Sequence, residues 1–232
     1  MTQTLFPPPE LPVVPVKGGT AGFPLRRIFC VGRNYAAHAA EMGAQVEREA
    51  PFYFTKSAFA YVASGETVPY APGTGDLHYE MELAIAIGAP VFRVTPAEAE
   101  QAIYGYCCAL DMTRRDLQAQ FKEKRLSWDL GKDFENSAVV APITKAGDFG
   151  AVAGQRIHLE VDGASRQDSH LSDMVWKVGE LVSHLSHYYH LAPGDLILTG
   201  TPSGVGPVVA GNVLTGGIDG LDPIELTIAP AE

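Results

Sequence analysis

Apolar residues in this chain come in short runs, each cut after a handful of positions by a glycine or proline. The 24 glycines and 17 prolines among 232 residues supply the breaks. Runs of that length fit β-strands joined by turns far better than long helices. Strands are predicted over residues 27–31, 51–56 and 196–199, the last entered through the P-G-D turn at 193–195. Alternating residues at 157–161 and 164–168 flank Asp162 and Gly163, the signature of a β-hairpin. Further short strands fall in the glycine-rich stretch 200–220 and at 223–228. Helices are expected over 35–42, stopped by Gly43, and over 96–103, with Thr95 as N-cap and Pro96 at the first helical position. Two more are expected over 113–124 and 172–189, where Met174, Val178, Leu181, Val182 and Leu185 recur at helical spacing. The pattern implies an α+β fold, mainly β, in one domain over residues 25–232. Residues 1–24, rich in proline and glycine, read as an extended N-terminal arm with an edge strand near 11–16.

Residues 77–83 read L-H-Y-E-M-E-L, which puts Glu80 and Glu82 two apart inside an apolar run that continues to Ile87. Side chains alternate along a strand, so the two carboxylates share a face. Two like charges so close do not both stay ionised without a compensating cation. Asp111, which ends the apolar run 103–110, supplies a third carboxylate. Three carboxylates with no cysteine or clustered histidine at matching spacing suit a hard, oxygen-seeking ion, Mg²⁺ or Mn²⁺. On the E-x-E spacing alone, a solvated strand face with two surface glutamates fits as well; Asp111 and the flanking motifs favour the metal. His184, His187 and His190 also repeat every three residues, but a drift of about 60° per step fans them apart, and a solvent- or dimer-facing helix is the better reading. The loop G-T-P-S-G-V-G has no lysine and is not a phosphate loop.

A hydrophobic content of 46% and a charged content of 19% are those of an ordinary globular protein. The net charge of -10 argues against nucleic acid or an anionic membrane as partner. It does not exclude a small anionic substrate, because a bound cation inverts the local field. Three cysteines, two of them adjacent at 107 and 108, do not make a disulfide framework. With no secretory leader pattern and no apolar stretch of membrane-spanning length, the expected location is the cytoplasm.

Five ordered motifs carry a resemblance. They are G-R-N-Y-A-A-H-A-A-E-M at 32–42, H-Y-E-M-E-L at 78–83, L-D-M-T-R-R-D-L-Q at 110–118, S-W-D-L-G-K at 127–132 and G-D-L-I-L-T-G-T-P-S-G-V-G-P at 194–207. Together they resemble the fumarylacetoacetate hydrolase family, in particular its acylpyruvate and fumarylpyruvate hydrolases, over residues 25–228. The resemblance implies a rolled β-sheet core with short flanking helices, a homodimer, and a divalent cation on Glu80, Glu82 and Asp111. It makes His38 and Glu41, three apart and on one helical face, a dyad in which the carboxylate orients an imidazole that activates water; spacing by itself would read them as surface residues. Lys132 is implied as the cationic residue reaching the substrate. Arg33, Tyr35, Lys56, Arg115, Gln118 and Thr201 are the implied substrate contacts, with Arg115 and Gln118 toward the far end. Lys56 stands in F-T-K-S, where relatives have proline after the lysine and this chain has Ser57.

The implied activity is hydrolysis of acylpyruvates, fumarylpyruvate first, giving fumarate and pyruvate in aromatic-acid breakdown. A cation on the 2-oxo oxygen would stabilise the expelled enolate. Oxaloacetate decarboxylation, isomerisation or tautomerisation of a related 2-oxo acid, and a non-catalytic binding dimer are the alternatives. A water-activating dyad favours hydrolysis, and the loops at 43–50 and 58–75 are expected to select the acyl group.

Overall fold

The computed structural model describes residues 4–43 and 50–232, so most of the expected pocket loop at 43–50 lies outside the described residues. An eight-stranded sheet forms the centre, and it curls into a half-barrel. Its strands run in the order Phe52–Lys56, Arg27–Gly32, Asp195–Leu198, Met81–Ile87, Ile103–Asp111, Ala138–Val140 and Tyr61–Ala63, with Thr144–Lys145 added beside Ile103–Asp111. A five-stranded sheet packs on one side. Its order is Ala164–His170, Arg156–Val161, Val213–Ile218, Ile224–Ala229 and Thr67–Pro69.

Strand parity explains both faces of the central sheet. Met81, Leu83, Ile85 and Ile87 point into the main core, where they meet Leu159, Leu214 and Leu226 of the second sheet, all but fully buried. The alternate positions, Ala84 and Ala86, join Cys107, Ala109, Leu196 and Leu198 in a second core. That face is lined mostly by small side chains, and Val14, Val16 and Phe23 pack onto it from the N-terminal segment, where Val13–Val14 pairs with Phe23–Pro24. Continuing the same parity toward the start of the strand places Glu82 and Glu80 in line with Ala84.

The Asp162–Gly163 turn has positive φ at both residues, 52° and 74°, as a two-residue hairpin of this hand requires. The register shifts after Leu159, so that Leu159 faces Gln167 while Glu160 faces Ser165; Arg166 is the extra residue of a β-bulge. The helix expected over 172–189 covers only Val178–Ser186. Residues 174–177 stay outside the helix because the Val175 and Trp176 backbone N–H groups donate to the carbonyl and side-chain oxygens of Asn34, at 2.8 and 2.7 Å. The helix expected from 113 begins at Arg115, since Thr113 and Arg114 pair with His78 and Leu77. The one expected over 96–103 ends at Gln101, with Ile103 already opening the next strand. Among the described residues, no helix is long and apolar enough to cross a membrane.

Candidate metal and substrate site

Glu80 occupies the break between Leu77–Tyr79, which belongs to a small three-stranded sheet, and Met81–Ile87 of the central sheet. Its carbonyl accepts from the Asp111 N–H at 2.9 Å, which sets the two residues side by side. Glu82 lies across from Ala109, two positions before Asp111. The three carboxylates, 5%, 1% and 1% exposed, bring one oxygen each to within 4.8 Å of one another. The expected triad is therefore assembled, and it is buried rather than spread over a solvated face.

Three cations surround it. The short helix Asp129–Lys132, absent from the sequence reading, delivers the Lys132 ammonium to Glu80 Oε2 and Asp111 Oδ2, both at 2.8 Å, and to Thr113 Oγ1 at 2.7 Å. Arg115 donates to Glu80 Oε1 at 2.5 Å and to Gln118 Oε1 at 2.6 Å. Lys56 reaches Asp111 Oδ1 at 2.9 Å and donates to the backbone carbonyls of Met112 and Lys132. Burial alone would raise every carboxylate. At Glu80 the charges of Lys132 and Arg115 overcome it and hold the group well below the usual range. Glu82 has no cation in contact; burial, and then the charges of Asp111 and Glu80, push it well above. Among the described residues, the Gly200 N–H, 2.7 Å from Glu82 Oε2, is its one direct stabilising donor.

These residues fit a divalent cation. The donors are all carboxylate oxygens, Glu82 is uncompensated, and Asp111 Oδ1 has an ion pair but no directed hydrogen bond. Such a set suits Mg²⁺ or Mn²⁺ and offers nothing to a thiophilic metal.

His38 lies on the helix Ala36–Glu41, 7% exposed, with Nδ1 3.3 Å from Glu41 Oε2. Both Glu41 oxygens accept from the Gly204 N–H at 3.2 Å. Gly204 has φ +96°, and a Cβ there would collide with the Arg166 carbonyl, so only glycine fits beside the bulge. His38, Arg33, Arg115, Gln118, Lys132 and Thr201 line one cavity with Glu80 and Glu82. Tyr35 and Lys56 are not among its lining residues. Tyr35 is 2% exposed and bridges to Met174, and its hydroxyl has no hydrogen-bond partner; burial raises its phenol. Lys56, 3% exposed, lies behind Asp111 as a buttress. The hydroxyl of Thr201 already donates to the Met81 carbonyl at 2.8 Å. Among the described residues no other group of acids, histidines or cysteines converges for a metal: His184 stacks on Tyr53 and His190 on Phe92.

Sequence reasoning missed two buried amides. Gln167, fully buried, accepts from the Met81 N–H at 2.9 Å and donates to Thr201 Oγ1 and the Pro202 carbonyl, both at 2.8 Å. It ties the ligand-bearing strand to the T-G-T-P loop. Asn34, also fully buried, donates to the Thr199 and Trp176 carbonyls at 2.8 and 3.1 Å. The hairpin register read from the Asp162–Gly163 turn would put Arg166 opposite Leu159; only the bulge at Arg166 brings Gln167 to that core position, so no sequence signal marked it.

The model of the fumarylacetoacetate (FAA) hydrolase C-terminal family matches residues 27–229. A fumarylpyruvate hydrolase of Ralstonia is 50% identical over 194 residues, 82% of this chain and 100% of the relative. An oxaloacetate tautomerase of Escherichia coli is 37% identical over 88% of this chain and 93% of the relative. The crystal structure of fumarylpyruvate hydrolase from Pseudomonas aeruginosa, in complex with Mn²⁺ and pyruvate, superposes with a TM-score of 0.94 at 44% identity, covering 98% of this chain and 100% of that one.

Proposed function

The chain belongs to the fumarylacetoacetate hydrolase family, and from that premise we propose that it is a divalent-cation-dependent hydrolase of acylpyruvates, acting on fumarylpyruvate to give fumarate and pyruvate. The observation that carries this reading is that Glu80 and Glu82, two members of the buried carboxylate triad, line one cavity with the imidazole of His38, which Glu41 backs. The 50% identity to a fumarylpyruvate hydrolase supports it. When bound by Glu80, Glu82 and Asp111, a divalent cation supplies Lewis-acid stabilisation of charge on the 2-oxo group.

Nδ1 of His38 faces Glu41, so Nε2 is the nitrogen that takes the proton of the attacking water. The hydroxyl adds to the C4 carbonyl, the C3–C4 bond breaks, and its electron pair passes into the C2 carbonyl as an enolate. The proton held by His38 then returns to C3, so one water is consumed and two acids result. Lys132, already neutralising Glu80 and Asp111, lines the cavity and offers an ammonium to the 2-oxo acid head. Arg115 and Gln118, locked to each other, form the adjoining wall.

Tautomerisation of oxaloacetate, the activity of the 37% identical relative, needs proton transfer without water attack. The Glu41–Gly204 tether, which fixes the orientation of His38 for a directed attack, favours hydrolysis. We further propose Mg²⁺ or Mn²⁺ as the ion, a cytoplasmic homodimer as the working form, and a place in aromatic-acid breakdown. The free buried cysteines and the exposed Phe59 and Phe92 are in keeping with a reducing compartment and a second copy. The test is pyruvate release from fumarylpyruvate, acetylpyruvate and oxaloacetate with Mn²⁺ and with excess chelator. Chelator-sensitive cleavage of fumarylpyruvate supports the proposal, and turnover of oxaloacetate alone refutes it.

A further inference from the structure

The cavity lined by Glu80, Glu82 and His38 is small, about 50 Å³. A second cavity of about 630 Å³ adjoins it and shares Arg33, Phe54, Lys122 and Trp128 as walls. Ligand pockets run to about 300–1,000 Å³, so a substrate whose reactive head is held at the triad must extend its remaining atoms across this shared wall. The lining of the larger cavity is unlike the rest of the molecule. The chain carries a net charge of -10, yet among the described residues that line this cavity Arg33, Lys122 and Arg125 stand with a single carboxylate, Asp129.

None of the three cations is engaged in an ion pair among the described residues. Arg33 and Arg125 have no side-chain hydrogen bond there, and Lys122 makes one long contact, 3.5 Å, to the Met42 carbonyl. Arg33 and Arg125 are also held at φ +61° and +56°. A non-glycine residue in that region is strained and persists where surrounding structure or function requires it. In the same lining, Phe52 and Phe54 pack edge-on and tilted against Trp128 with ring centroids 5.0 and 6.0 Å away, giving the cavity an apolar wall for the carbon chain that precedes the carboxylate.

We propose that this second cavity is the subsite for a carboxylate at the far end of the acyl group, so that the enzyme selects acylpyruvates that are dianions over those with a neutral terminus. The assignment rests on the acylpyruvate reading. Arg33, Lys122 and Arg125 are specificity residues, free to form charge-assisted bonds to the terminal carboxylate.

The test uses Lys122→Met and Arg125→Met, singly and combined, in the Mn²⁺-loaded protein at constant ionic strength. Both positions are exposed, so the fold should tolerate them. Turnover is measured on fumarylpyruvate, which ends in a carboxylate, and acetylpyruvate, which ends in a methyl group. The ratio of the two kcat/KM values should fall at least tenfold in the double variant, mainly through KM. An unchanged ratio overturns the subsite, whether or not both activities fall together. A binding measurement separates this from failure of the functional reading. With Mn²⁺ and saturating pyruvate, the wild-type protein is titrated calorimetrically with fumarate and with crotonate, which replaces one carboxylate by a methyl group. Tighter fumarate binding that the double variant loses supports the subsite even if neither acylpyruvate turns over, a result that would refute the hydrolase assignment alone. Equal binding of the two acids refutes the subsite.

Discussion

Replacing Gln167 by methionine keeps the length and most of the volume of a fully buried side chain while deleting its hydrogen bonds. The Met81 N–H loses its acceptor, and the Pro202 carbonyl loses its donor; Thr201 Oγ1 keeps its bond to the Met81 carbonyl. A buried polar group left unpaired costs about 1–3 kcal/mol. Two such groups, with partial relaxation of the T-G-T-P loop, imply a loss of about 3 kcal/mol, which in a chain of this size lowers Tm by about 6–12 °C. Met81 lies between two ligand residues, so loosening its backbone also misplaces Glu80 and Glu82. Weakening of Mn²⁺ binding by about tenfold, or about 1.4 kcal/mol, is the expected accompaniment. Thermal unfolding with and without Mn²⁺, together with calorimetric titration of the ion, reads both effects. A fall in Tm with unchanged Mn²⁺ affinity would refute the link between Gln167 and the site. An unchanged Tm would refute the burial argument itself.

Because Glu82 is held above the ordinary carboxylate range and Glu80 below it, the proton displaced when a cation binds comes from Glu82. Titrating Mn²⁺ in buffers of different ionisation enthalpy should show proton release that grows as pH falls toward the acid range, with affinity falling in step; Glu82→Gln should abolish the release and most of the affinity. His38→Ala should lower kcat by about 10²–10⁴-fold while Mn²⁺ affinity by calorimetry stays within about twofold; a matching loss of affinity would count against a role in water activation. In Gly204→Ala the new methyl group meets the Arg166 carbonyl and displaces the N–H that holds Glu41. A loss of kcat without loss of Mn²⁺ affinity is expected there, and full activity would show the tether to be dispensable. Lys56→Met removes one of the two cations paired with Asp111, Lys132 remaining, together with its bonds to the Met112 and Lys132 carbonyls. A buried polar group left unpaired costs about 1–3 kcal/mol, so chemical denaturation should show a loss of that order.

Strand alternation is a local rule, and it sufficed to place Glu80 and Glu82 on one face and to mark Asp111 as a third carboxylate before any fold was known. The hairpin at Asp162–Gly163 and the capped helix at Pro96 were legible for the same reason, since turn and cap chemistry acts over three or four residues. The mainly β class followed from the spacing of glycine and proline, and the five motifs carried the resemblance to the family.

What lay beyond the sequence depends on contacts between distant residues. Helical spacing from Met174 onward was real, but Asn34, far earlier in the chain, claims the backbone N–H groups of Val175 and Trp176 and keeps residues 174–177 out of the helix. Lys56 and Lys132 look alike as isolated lysines. The fold alone sends one behind Asp111 and the other into the cavity. Nothing near Glu82 in sequence predicts that it is the acid without a cation, because Lys132 and Arg115 reach Glu80 from 52 and 35 residues away. The sequence by itself marked the groups proposed to carry the chemistry, the paired glutamates through residue type and strand parity, which are local, and the others through the five motifs. The tertiary structure decided their charge states, their supports and the basic cavity beside them, because electrostatic and packing energies depend on distance through space.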